Sequence, residues 1–285
     1  MDKITKEWCY KKIDEIFNDK KANEVFKKQC DIYFDIKNSN INNNHNYKIG
    51  DNVKLSKGMF MRGEGALITL DEEKLKYIKE YGFISPDITI KYNPKQKTPL
   101  CIPVWNIQKD MLLSEYIELY SGATFMYTKK EDNYKHHTCL VPYKKLEDKI
   151  ESFRKEDYWL WSCEQTKETR FMPSLSRDDE KIQIGFIINT KGAEELIKND
   201  IFNLDFDKDV LEKFIPDFFI KDFIYGERDD FTTNRESAII FGIPSNFIEG
   251  ILVGRIYEKN NKKLDLIKDI FPDCYICNLD GKVIL

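Results

Sequence analysis

Three short stretches carry residue types suited to glycosidic or phosphate chemistry. The first is Met-Phe-Met-Arg-Gly-Glu-Gly at 59–65, where Arg62 follows an apolar run. A guanidinium fork matches paired phosphate oxygens, so Arg62 is a candidate anchor for a pyrophosphate. The second is Tyr-Ser-Gly-Ala-Thr-Phe-Met-Tyr at 120–127, which sets the hydroxyls of Ser121 and Thr124 beside a strand-like segment. The third runs from Phe231 through Asn234 and Glu236 to Pro244, a polar loop that passes into an apolar strand at the glutamate. A carboxylate placed there is suited to stabilising an oxocarbenium-like sugar cation as a glycosidic bond breaks.

The order of these stretches resembles the ADP-ribosyltransferase superfamily, and within it the DarT-like branch that modifies nucleic acids. In that family a basic residue sits on an early strand, a Ser/Thr strand follows, and a glutamate opens a late strand. The resemblance spans about residues 53–283 and implies NAD as co-substrate. It casts Glu236 as the catalytic carboxylate and Arg62, Ser121 and Thr124 as NAD-contacting residues. Phe231 and Asn234, in the loop before the glutamate, would recognise the acceptor, a protein or a nucleic acid. It also implies that Arg62, Ser121 and Glu236 line one cleft. Asn234 stands two residues before Glu236, where protein-modifying members carry Glu or Gln, and the Ser121-to-Phe125 segment does not reproduce the Ser-Thr-Ser element of classical toxins.

Other clusters carry plainer readings. Cys274 and Cys277 have the spacing of a metal knuckle or redox pair, but no second pair exists, and residues three apart on a strand face opposite ways. His136 and His137 are read as solvated loop residues. The acidic runs Asp178-Asp179-Glu180 and Glu227 to Asp230 suit a divalent metal in a nuclease, though such runs are usually solvated. Trp159 and Trp161 suit stacking on a base or packing in a core. No metal site is expected. Beside the transferase reading stand two others, a non-enzymatic binding or inhibitor protein and a metal-dependent nuclease.

The elements that must position these residues follow from periodicity. Residues 2–36 carry apolar side chains at helical spacing, and the Asn-rich stretch 38–46 separates them from the remainder. The expected division is a helical element with its linker over 1–46 and a transferase-like domain over 47–285. Strands are expected at 53–55, 59–62, 124–127, 182–188, 237–241, 248–253 and 275–277. Helices are expected after Asp71, ended by Gly82, and at 112–120, 143–153, 193–198, 205–225 and 264–270. Residues 84–106, with four prolines, read as irregular strand and loop. Strands and helices without strict alternation imply an α+β fold of mixed or antiparallel sheets with flanking helices.

The 285 residues hold 45 basic and 49 acidic side chains, a net charge of −4, so no overall basic footprint for nucleic acid is present. Seven cysteines without regular spacing, a charged N-terminus and no long apolar run are expected of a cytoplasmic protein with free thiols and no membrane segment. The Lys, Ile and Asn bias points to an AT-rich bacterial or phage genome, and a toxin or defence effector fits that setting.

Overall fold

Thr5 opens the first helix. Its side-chain oxygen accepts the backbone N–H of Trp8 at 3.2 Å, which satisfies one of the unpaired donors of helix α1 (Lys6–Ile16). Cys9, Ile13 and Phe17 recur every four residues and are buried. They meet Phe26 and Cys30 of helix α2 (Lys20–Lys37), with the Phe17 and Phe26 rings stacked at 4.4 Å. The 2–36 periodicity is therefore two helices rather than one, with the chain leaving helical geometry at Phe17.

The computed structural model describes residues 3–18, 20–39, 45–63, 72–84, 101–107, 109–120, 122–129, 137–142, 158–164, 184–189, 236–254 and 258–285. The expected helices at 143–153, 193–198 and 205–225 lie outside them. The strands are β1 (Lys54–Leu55), β2 (Phe60–Gly63), β3 (Phe83–Ile84), β4 (Cys101–Asn106), β5 (Met111–Leu112), β6 (Gly122–Lys129) and β7 (His137–Pro142). They continue with β8 (Tyr158–Glu164), β9 (Ile184–Ile188), β10 (Glu236–Ile240), β11 (Gly242–Ile243), β12 (Ile248–Val253) and β13 (Tyr275–Cys277). Helices α3 (Glu72–Tyr81), α4 (Leu113–Tyr120) and α5 (Asn261–Ile270) complete the set. The architecture is α+β.

The main sheet has six strands in the order β10-β4-β2-β9-β12-β13. All its pairs are antiparallel except β12 with β13. A three-stranded sheet, β7-β6-β8, and two short pairs, β1-β5 and β11-β3, form separate hydrogen-bonded sheets. Strand β4 forms despite Pro103, which lies opposite Ala238 of β10, inside the segment 84–106 whose four prolines imply irregular strand and loop.

Each face of the sheet buries its own core. One contains Phe60, Val104, Phe186, Ile251 and Ile276 under α3 and α5. The other contains Met61, Ile187, Leu252, Tyr275 and Cys277 with Leu113 and Tyr116 of α4. Strand β9 is buried at all five positions, as a strand covered on both faces must be. Helix α3 ends at Gly82, whose φ of +62° and N–H bond to the Ile78 carbonyl terminate it. A side chain there would strike the Ile243 carbonyl.

The N-terminal helices share a core with the remainder of the chain. Tyr81, Ile84 and Phe241 belong to the cluster that α1 and α2 bury. The Tyr33 hydroxyl donates to the Tyr81 carbonyl, and the Asn246 amide donates to the Ile36 carbonyl at 2.6 Å. Phe241, between β10 and β11, has φ +68° and is fully buried edge-on against Tyr33.

Candidate functional site

Glu236 is the first residue of β10, an outer strand of the main sheet, reached directly from the polar segment 227–234. Its place follows from the cross-strand rows. Glu236 lies opposite Trp105, Trp105 opposite Met61, and Met61 opposite Ile187. Met61 and Ile187 belong to the core that contains Tyr275. Arg62 lies opposite Phe186, in the core on the other side of the sheet. Successive residues of a strand alternate between faces. Arg62 and Glu236 are therefore two strands apart, roughly 10 Å, in neighbouring rows assigned to opposite faces.

The sheet thus brings the two strands together but does not place the two residues on one face. The Arg62 guanidinium carbon stands 5.0 Å from the centroid of the Phe83 ring, a cation–π contact that holds the half-buried side chain toward α3. Thr124 is in the central strand of the three-stranded sheet, opposite Leu140 and Glu164, in a different sheet from Arg62 and Glu236. The strand between those two is β4. Ser121, Phe231 and Asn234 lie outside the described residues, as do His136 and the two acidic runs. His137, read as a loop residue, opens β7, and both Trp159 and Trp161 lie in β8.

Cys274 and Cys277 are buried in different cores. Their thiols donate to the carbonyls of Ile248 at 3.2 Å and Ile251 at 3.5 Å. Burial pushes the Cys274 thiol up to about 12 and moves Cys277 in the same direction. Both are therefore protonated at neutral pH, the state opposite to that of a metal ligand or reactive thiolate.

The sequence reading missed a second carboxylate. Glu249 is the extra residue of a β-bulge in β12, where the register against β9 shifts between Ile248 and Gly250. Only 9% of Glu249 is exposed. One carboxylate oxygen accepts from the Asn189 amide at 2.7 Å, and the other accepts from the Tyr275 hydroxyl at 3.1 Å. Gly250 makes this possible, because a Cβ there would lie 2.3 Å from the Tyr275 ring. Burial, reinforced by the adjacent Glu249 charge, holds the Tyr275 phenol well above its usual value, so it remains a donor.

Glu249 and Asn189 line a cavity of about 650 Å³ that also takes in His45, Tyr47, Asp51 and Lys54. The rings of His45 and Tyr47 meet Tyr275 edge-on at 4.8 and 4.9 Å. His45 Nε2 lies 2.7 Å from the Asp273 carbonyl, which can only accept, so Nε2 carries a proton. The signal for this site was a charged residue inside the apolar run Ile-Glu-Gly-Ile-Leu-Val at 248–253. His45 and Tyr47 were concealed at the end of the Asn-rich stretch.

No protein-family model, curated protein or solved structure matches this chain. Among the described residues, no helix is long and apolar enough to cross a membrane.

Proposed function

We propose that the chain is an NAD-dependent mono-ADP-ribosyltransferase with an ADP-ribosyltransferase-like fold. It acts on a macromolecular acceptor, protein or nucleic acid, in the manner of a bacterial or phage toxin or defence effector. The observation that carries this reading is the position of Glu236, which opens an outer strand directly after a polar segment. In the reaction the ribose–nicotinamide bond breaks, and nicotinamide leaves with the bonding pair. The acceptor nucleophile attacks the sugar carbon and gives up its proton. The Glu236 carboxylate stabilises the positive charge that builds on the sugar.

Arg62 takes a lesser part in this reading than the sequence resemblance implied, because its row belongs to the other face. Nicotinamide release from NAD, measured with mixed protein and nucleic-acid acceptors, tests the proposal. Glu236→Gln is expected to lower turnover by about 100-fold, the scale of losing one group that stabilises transition-state charge. Arg62→Ala is expected to stay within about threefold of wild type, since its row belongs to the other face. Equal turnover by Glu236→Gln, or no release by the wild type with any acceptor, would end this reading.

A further inference from the structure

We infer that the cavity over Glu249 binds an organic cation through a guanidinium or primary ammonium group. The first argument is the carboxylate itself. Glu249 is nine-tenths buried yet lines a cavity, and its two partners, Asn189 and Tyr275, both donate to it. Each carboxylate oxygen has capacity for a second donor. The second argument is the supply of acceptors. Asp51 adds a second carboxylate to the lining. Among the described residues of the lining, two carboxylates stand against the single lysine Lys54, a net acidic set.

The third argument is the aromatic wall. His45 and Tyr47 line the same cavity as Glu249 and stand edge-on to Tyr275, whose hydroxyl donates to the carboxylate. Aromatic faces attract a desolvated cation electrostatically, and a carboxylate at the end of such a pocket supplies directed hydrogen bonds. A ligand rich in donors and carrying positive charge matches the two carboxylates and the rings, whereas an anion would meet Glu249 and Asp51. Strand β12 is four strand spacings from β10, roughly 19 Å, so this site is separate from Glu236 and stands whether or not the transferase reading holds.

The test uses the full chain at fixed ionic strength and follows the thermal midpoint with added agmatine. N-carbamoylputrescine, which has the same shape without the guanidinium charge, is the control. Agmatine is expected to raise the midpoint saturably and N-carbamoylputrescine to bind at least about tenfold more weakly. Glu249→Gln is expected to weaken agmatine by about tenfold or more. If that variant does not fold, Tyr47→Leu, which leaves the buried carboxylate in place, is expected to weaken agmatine several-fold. Spermidine and N-acetyl-arginine amide distinguish a free polyamine from a protein side chain as the source of the cation. No midpoint shift with any of these cations, equal binding of N-carbamoylputrescine, or unchanged agmatine affinity in both variants would overturn the proposal. No readout involves NAD.

Discussion

Glu236 and Glu249 lie thirteen residues apart in the chain and at nearly opposite ends of one sheet. Glu236 begins an outer strand, next to a polar segment and with a recorded neighbour on one side. Glu249 interrupts a strand paired on both sides, and the bulge turns its carboxylate toward Asn189 and Tyr275. The first position asks little of the fold. The second requires a glycine, a buried phenol and an amide to hold one charge. A substitution at the outer position should therefore be felt in activity and one around the inner position in stability.

The comparison is broken most directly by Gly250→Ala. The added methyl would lie within 2.3–2.8 Å of three Tyr275 atoms, and a ring that is 2% exposed cannot swing away without losing its bond to Glu249. A loss of about 3 kcal/mol in urea unfolding is expected from overpacking and the lost hydrogen bond together. Glu236→Gln should leave the unfolding free energy within about 0.5 kcal/mol of wild type while lowering nicotinamide release by about 100-fold. A large stability loss there would place Glu236 in the same structural class as Glu249.

Alkaline pH sharpens the contrast from the same side. Burial raises Cys274, Cys277 and Tyr275, so the folded state keeps protons that the unfolded chain releases. In the unfolded chain thiols ionise near about 8.5 and phenols near about 10. Their contribution is full below those values and falls as pH rises through and beyond them. Urea midpoints should be flat from about pH 7 to 8 and decline steadily above about pH 9. A flat profile to pH 11 would mean that β12 and β13 open without global unfolding.

Smaller effects test single contacts. Tyr275→Phe removes one of the two donors to Glu249 and should cost about 1–2 kcal/mol by equilibrium unfolding. Arg62→Ala loses its contact over Phe83 and should cost about 0.5–1 kcal/mol. A tenfold rise in the KM for NAD in the same variant would instead join Arg62 and Glu236 on one substrate, against their row assignment.

Much of the sheet could be read from the chain because its strands obey simple rules. The apolar run ending at Ile188 marked β9, and the run from Ile248 marked β12. Gly82 marked the end of α3 through its required backbone conformation. Strand β4 was not legible as a regular strand, because a proline, with no N–H to donate, argues against one. Strand β7 was concealed by the two histidines at its start. The site was legible in composition but not in placement. Nothing local reveals that Arg62 and Glu236 occupy alternate rows, since that depends on pairing through a third strand. Nor does the sequence reveal a bulge, which is a mismatch between β12 and β9 and belongs to neither strand alone.

The backbone at Phe241 gives the N-terminal helices a mechanical duty. A bulky residue with φ +68° sits in a region that costs about 1–2 kcal/mol for an L-amino acid. Its ring stays there because Tyr33 and the rest of the helical cluster cover it. The sharp bend that carries the chain out of β10 and into β11 is thus sprung, and α2 is the catch. Releasing the catch would free the far end of the strand that Glu236 begins, so α1 and α2 cannot be trimmed away as a detachable leader without altering how that strand is seated.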